Sequence, residues 1–204
     1  MTDHFVVLSE PRRPWLEVEP LKAKFLTLSG KAHPDRAKDH REREAAVHRF
    51  AEINAAYNCL RDTKERLHHL YVIETGNEAR QVRQVPPAIA DLIIPAEQLC
   101  REVSAFLIEK ARATSPLVQA RHFEQGLEWT ERIQTMQLRL RTYREQLDVA
   151  VQSLNPAWEA VDSVHVSRRA EKLPLMQLEE FFRAYSYVTR FQQQLQERLV
   201  QLAL

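Results

Sequence analysis

The chain has 204 residues, of which 44% are hydrophobic and 28% charged, and its formal net charge is +1. This balance does not favour a nucleic-acid backbone or an anionic membrane as the main partner, since either would attract a clearly basic surface. Glycine occurs only three times, whereas the helix formers Leu, Gln, Glu, Arg and Ala are abundant. We therefore expect an all-α protein.

The two cysteines, Cys59 and Cys100, lie far apart and outside any Cys-x-x-Cys pair. This usage is typical of structural thiols in a reducing compartment. No apolar run approaches the ~18 residues of a membrane span. The N-terminus lacks a basic and then apolar leader. A cytoplasmic protein without membrane attachment is expected.

The first apolar run, Phe5 to Leu8, is cut off by Pro11 and Pro14. It is too short for periodicity to separate a strand from a helical turn. The scarcity of glycine in the chain favours the helical turn.

A helix is predicted from about Pro20, because proline is tolerated in the first helical turn. Its apolar stripe is spaced by 4, 3 and 4 residues and consists of Leu21, Phe25, Leu28 and Ala32. Lys24 and Lys31 fall side by side on one flank of this stripe. The helix cannot pass Pro34, since the residue before a proline is pushed out of the α region. His33-Pro34-Asp35 is therefore predicted to form a loop at the helix end.

Residues 36–44 are almost entirely charged and are predicted to form a solvated loop that merges into the next helix. That helix is expected to span roughly 18–20 residues, with apolar positions at helical spacing. These positions are Val47, Phe50, Ile53, Tyr57 and Leu60. Two such helices should pack as an antiparallel hairpin. A third helix is predicted to be capped by Asp62-Thr63 and stopped by Gly76.

Polar residues and Pro86-Pro87 mark a linker at residues 77–86. We therefore predict an N-terminal domain over 1–76 and a second domain over 87–204. The second domain contains three long amphipathic stretches, which predict an elongated antiparallel three-helix bundle with coiled-coil spacing. Pro95 either kinks the first of these helices or marks its start. Residues 156–173 have a mixed pattern and carry no structural prediction.

Little in the chain points to catalysis. There is no Gly-rich phosphate loop, and no nucleophile can be paired with a base from the sequence. His68-His69 puts its side chains about 100° apart on a helix, whereas ligands on one helix prefer spacings of three or four. We interpret these as surface histidines, and predict no enzyme activity, no cofactor and no metal.

The sequence around the loop resembles a J-domain, the module that activates DnaK-type chaperone ATPases. A helix with basic flanks precedes His33-Pro34-Asp35, and the next helix carries Ile53-Asn54-Ala55-Ala56-Tyr57 and Leu60-Arg61-Asp62. The frame Asp3-His4-Phe5, followed by Pro11-Arg12-Arg13, is similar to the HscB-type branch, whose members serve iron–sulfur cluster assembly. The order of a J-domain, a linker and a three-helix bundle is also similar to that branch.

This resemblance implies two binding sites and two protein partners. The chaperone-binding residues would be His33, Pro34, Asp35, Lys24, Lys31 and Arg36, with a DnaK-type (HscA-like) ATPase chaperone as partner. The scaffold- or client-binding residues would be Ile93, Ile94, Glu97, Glu102, Phe182 and Tyr185, with an iron–sulfur cluster scaffold protein (IscU-like) as partner. Pro95 and Arg101 depart from the pattern expected on that second face.

Two other interpretations remain open at this stage. The bundle of a J-protein can bind a different client or tether the protein to an assembly. Alternatively, the chain is a purely structural coiled-coil protein with an accidental tripeptide. For the second face itself, Ile93 and Ile94 can also simply fill the core of the bundle. The apolar stripes are wide enough for an intramolecular core, so a monomer is expected.

Overall fold

The computed structural model describes residues 2–37, 39–78 and 85–203, without the side chains of Arg36, Val166 and Ser167. Throughout these ranges every regular element is a helix and no strand occurs. This confirms the predicted all-α class. None of the described helices is long and apolar enough to cross a membrane.

Nine α-helices and two short 3₁₀ turns follow one another in the described ranges. The helices are α1 (His4–Val7), α2 (Val18–Lys31), α3 (His40–Arg61), α4 (Thr63–Thr75), α5 (Ala90–Arg112), α6 (Pro116–Gln152), α7 (Asn155–Glu159), α8 (Val166–Arg169) and α9 (Leu175–Ala203). The 3₁₀ turns are Pro34–Arg36 and Pro87–Ile89.

The chain forms two compact units. The first contains the described residues of Met1–Gln81 together with Asp148–Phe182. The second contains those of Val82–Leu147 together with Arg183–Leu204. The predicted linker at 77–86 falls largely on residues 79–84, which lie outside the described residues, and the predicted domain boundaries stay predictions.

Helix α1 confirms the helical turn predicted for the first apolar run. The Asp3 side chain caps it by accepting hydrogen bonds from the backbone N–H groups of Phe5 and Val6. Phe5 and Leu8 are completely buried. Capping therefore starts the turn, and burial holds it in the first unit.

Helices α3 and α4 begin at aspartate caps. The Asp62 carboxylate accepts the N–H of Glu65 at 3.0 Å, as predicted, and α4 ends at Gly76 with φ +71°. The prediction of a loop over 36–44 was wrong in its second half. Asp39 caps α3 by accepting the N–H of Glu42 at 2.8 Å, so the helix already begins at His40.

The segment 148–182 adds helices α7 and α8 to the first unit. Helix α6 ends at Gln152, and Asn155 begins α7. Its side-chain amide bridges both backbone groups of Trp15, accepting the N–H at 3.0 Å and donating to the C=O at 3.1 Å. The Trp158 side chain is completely buried.

His69 corrects the prediction that the histidine pair lies on the surface. It is buried, and its ring stacks on His4 with centroids 4.4 Å apart. Burial lowers the pKa of His69 to about 4, so the ring is neutral at pH 7. The adjacent His68 is half-buried.

The second unit is a three-helix bundle built from α5 and from parts of α6 and α9. Arg132 of α6 pairs with Glu102 of α5 at 2.6 Å, and Lys110 near the end of α5 donates to the carbonyl of Leu202 near the end of α9 at 2.9 Å. These contacts fit an up-down-up order, which places α6 antiparallel to both neighbours. Because α5 begins at Ala90 and continues through Pro95, the proline does not mark the start of the helix.

Candidate functional site

The hairpin of α2 and α3 positions the candidate site. Phe25 of α2 and Tyr57 of α3 stack face to face, with ring centroids 4.1 Å apart and an interplanar angle of 12°. Leu21 and Ile53 are buried in the same unit. The stripes predicted from spacing thus hold the two helices together, and the connection between them carries His33-Pro34-Asp35.

Local chemistry forces the chain to leave α2 before Pro34. The last hydrogen bond of the helix runs from the Ala32 N–H to the Leu28 carbonyl at 3.0 Å. His33 then takes an extended conformation, with φ −64° and ψ 128°, as expected before proline. Pro34 opens a short 3₁₀ turn, where its missing N–H is not needed.

The His33 ring is held on two sides while part of it stays open to solvent. Its Nδ1 accepts the Asp35 N–H at 3.3 Å and lies 3.6 Å from the Asp35 carboxylate. The ring also meets Phe50 of α3 edge to face, with centroids 5.7 Å apart. The side chains of His33 and Asp35 are 47% and 75% exposed. A partner can therefore reach both polar groups in a pre-set geometry.

The three predicted cations differ in their surroundings. Lys24 donates to the Ser9 carbonyl and the Glu10 carboxylate, both at 2.9 Å, so a neighbouring acid offsets its charge. Lys31 is exposed in the last turn of α2. The side chain of Arg36 lies outside the described part of the chain. Among the described side chains, Lys31 is thus the more accessible cation near the loop.

Four residues of the second predicted site lie on α5 of the bundle, where they differ in exposure. Ile93 is completely buried, whereas Ile94 is 56% exposed and Glu97 is exposed. The Glu102 carboxylate is bound by the Gln98 amide at 2.8 Å and the Arg132 guanidinium at 2.6 Å. These two hydrogen bonds, led by the one from Gln98, lower the pKa of Glu102. Ile94 and Glu97 are therefore the more exposed members on this helix, and the Glu102 side chain is 33% exposed.

The two aromatic residues predicted for this face lie in different units. Tyr185 belongs to the second unit and is almost completely buried. Phe182 belongs to the first unit, where its ring stacks on His68 with centroids 5.0 Å apart. Their positions in the sequence did not reveal what each side chain contacts.

Phe50 belongs to the predicted apolar stripe of α3, but its contact with the loop was not predicted. The available signal was its position: it is the stripe member of α3 after Val47, near the N-terminal end of the helix that follows the loop. In the structure Phe50 is half-buried and supports the His33 ring. It is a positioning residue for the candidate site.

Together, the helical hairpin, the capped third helix and the exposed His-Pro-Asp loop define a J-domain, the class of small helical modules built around this tripeptide. Residues 5–69 match the DnaJ domain family. The chain therefore carries an N-terminal DnaJ domain.

The fold of the whole chain is similar to two solved structures. One is the chaperone HscB from Vibrio cholerae, with a TM-score of 0.51, 20% identity and coverage of 96% of both chains. The other is the human co-chaperone protein HscB, with a TM-score of 0.60, 14% identity and coverage of 97% of this chain and 82% of that chain. The likeness extends over the J-domain and the helices that follow it, so the chain has an HscB-like fold.

Proposed function

We propose that the protein is a cytoplasmic co-chaperone without catalytic chemistry of its own. Its His33-Pro34-Asp35 loop would bind a DnaK-type (HscA-like) chaperone and stimulate ATP hydrolysis there. Its bundle would bring an iron–sulfur cluster scaffold protein (IscU-like) to that chaperone. The observation that carries this proposal is the exposed tripeptide held at the end of α2 inside a DnaJ domain.

The geometry of the loop supports the chaperone half of the proposal. His33 is oriented by Asp35 and Phe50 before any partner arrives, so little conformational freedom is lost on binding. Lys31 adds an exposed positive charge nearby, which favours fast encounter with an acidic surface. A loop of this kind can recognise a protein partner without acting as a general acid or base.

The HscB-like fold of the chain supports the scaffold half of the proposal. On α5, Ile94 and Glu97 offer an exposed apolar group and an exposed acid one helical turn apart. Ile93 and Tyr185 are buried, so they would not contact the scaffold directly. They would act by fixing the helices of the bundle, including the one that carries Ile94 and Glu97. Glu102 would be less available, because Gln98 and Arg132 already bind its carboxylate.

A single-turnover ATPase assay with a DnaK-type chaperone tests the first half. We expect the unmodified protein to accelerate hydrolysis and His33→Gln to lose most of that acceleration, since the substitution removes the oriented ring. His40→Gln is the matched control, because His40 is an exposed histidine at the start of α3. Equal stimulation by the unmodified protein and His33→Gln would disprove the proposed role of the loop.

A pull-down with a purified IscU-like scaffold tests the second half. We expect Ile94→Asp and Glu97→Lys to weaken capture, whereas Ile108→Asp, an exposed isoleucine further along the same helix, should not. Normal ATPase stimulation combined with no scaffold capture by the unmodified protein would point to a J-domain protein that carries a different client. Capture that survives both α5 substitutions would show that the face is elsewhere.

A further inference from the structure

Three metal-binding side chains from separate parts of the chain meet inside the first unit. His4 stands at the start of α1, Cys59 near the end of α3 and His69 within α4. One ligand atom of each lies within 4.8 Å of the others. The spacing of residues in the sequence cannot predict such a group, because its members are distant in sequence and only the fold brings them together.

The Nδ1 atom of His4 points most directly to a missing ligand. It is buried and makes no hydrogen bond within the described residues. A buried polar atom without a partner is costly, and native structures rarely keep one without a reason. His69 is itself buried, and Cys59 is half-buried with its sulfur 3.7 Å from the Glu65 carbonyl.

We propose that His4, Cys59 and His69 form a binding site for a transition metal ion of the Zn²⁺ class. Two imidazole nitrogens and a thiolate sulfur are ligands that Zn²⁺ prefers, and a water molecule can occupy the fourth tetrahedral position. In a tetrahedral site, bond lengths of ~2.0 Å to nitrogen and ~2.3 Å to sulfur put the two nitrogens and the sulfur about 3.3–3.5 Å apart. Small side-chain rotations would bring the three ligand atoms from their present separations to these distances.

Binding requires two local exchanges. The Nε2 of His69 accepts the His4 backbone N–H at 3.1 Å, and an ion bound at this nitrogen displaces that hydrogen bond. The Cys59 sulfhydryl becomes a thiolate, and its proton leaves to solvent as the sulfur–metal bond forms. Burial raises the pKa of the Cys59 thiol to about 12, so the loss of this proton takes up part of the binding free energy of the ion.

The ion would act as a structural tie. Helix α1 has only four residues, and a metal bound to His4 would connect it to both α3 and α4. Helix α3 carries both the ligand Cys59 and Phe50, which supports the loop, so the ion would stabilise the J-domain helix beneath the loop. None of the three ligands belongs to the proposed chaperone-binding residues. This inference is independent of the proposed co-chaperone function.

Titration of the metal-free full-length chain with Co²⁺ and Zn²⁺ tests the site. We expect a thiolate-to-cobalt absorption band, its loss on addition of Zn²⁺, and binding at least about tenfold weaker in Cys59→Ser and His4→Gln. Cys100→Ser and His40→Gln are the matched controls and should bind like the unmodified chain. Absence of the cobalt band, or equal affinity in Cys59→Ser, would overturn the proposal.

A second measurement avoids substitution, in case a variant fails to fold. The alkylation rate of each cysteine in the unmodified chain is followed by mass spectrometry with and without Zn²⁺. We expect the ion to slow alkylation of Cys59 and to leave the rate at Cys100 unchanged. An equal rate at Cys59 under both conditions would overturn the proposal, because it would place any bound ion elsewhere.

Discussion

The carboxylate of Glu74 in α4 and the guanidinium of Arg169 in α8 form a buried, bidentate ion pair. The Arg169 Nη2 and Nε atoms lie 2.8 Å from Oε1 and 3.0 Å from Oε2 of Glu74. The Arg169 side chain is only 7% exposed and the Glu74 side chain is 0% exposed. Arg12 places a second cation 3.5 Å from the same carboxylate. The pair joins the segment 148–182 to the J-domain helices within one unit.

Removing the charge of Glu74 should destabilise the protein strongly. Glu74→Gln leaves the buried Arg169 without its anion, and we expect the free energy of unfolding to fall by about 3–5 kcal/mol. Urea denaturation followed by circular dichroism measures the change. Glu171→Gln, at an exposed acid close to α8, is the control and should change little. A loss below about 1 kcal/mol for Glu74→Gln, as for a surface pair, would contradict this assignment.

The contact between Arg13 and Asp162 should make stability depend on pH. The hydrogen bond from Arg13, aided by its charge, holds the pKa of Asp162 below its ordinary value. A depressed carboxyl pKa stabilises the fold above the unfolded-state pKa, and this contribution is lost as the pH falls below it. Asp162→Asn should therefore lower the melting temperature at neutral pH, and the difference should shrink towards about pH 3.

Melting curves between about pH 7 and pH 3 check this dependence. Glu180→Gln, at an exposed acid in the same unit, is the control and should follow the unmodified protein at every pH. A difference between Asp162→Asn and the unmodified protein that stays constant with pH would count against the assignment.

Two glycines should respond to alanine in opposite directions. Gly76 ends α4 in the left-handed region, so Gly76→Ala should lower the free energy of unfolding by about 1–2 kcal/mol. Gly126 lies inside α6, and an added Cβ meets nothing within 4 Å, so Gly126→Ala should raise it by roughly 0.5–1 kcal/mol. Urea denaturation of both variants measures the two changes in the free energy of unfolding. A lower free energy of unfolding for Gly126→Ala would contradict the open space around Gly126.

Phe50 should affect the proposed chaperone activity without touching the partner. Phe50→Leu keeps apolar volume but removes the edge contact with the His33 ring, an interaction worth about 0.5–1.5 kcal/mol. We expect about two- to tenfold weaker ATPase stimulation with unchanged helicity. Val47→Ala, at an exposed position on the same helix, is the control. Full stimulation by Phe50→Leu would show that the loop does not need this support.

Much of the J-domain could be predicted because its signals are local. Pro34 stops a helix through its own ring, Asp62 caps one through its own side chain, and Gly76 ends one through its backbone freedom. The α2 and α3 stripes follow from helical spacing, and the His-Pro-Asp loop lies between them. The start of α3 was missed because Asp39 can either end a charged loop or cap a helix, and its sequence does not decide between the two.

The sequence by itself determined the long helices, their approximate ends and the tripeptide that a partner would meet, but not the short helices α7 and α8. Only the tertiary structure decided which distant groups belong together. Asn155 meets Trp15, Arg169 meets Glu74, and Cys59 meets the His4–His69 pair. The physical reason is range: capping and periodicity act over a few residues, whereas burial and ion pairing depend on which surfaces the folded chain brings into contact.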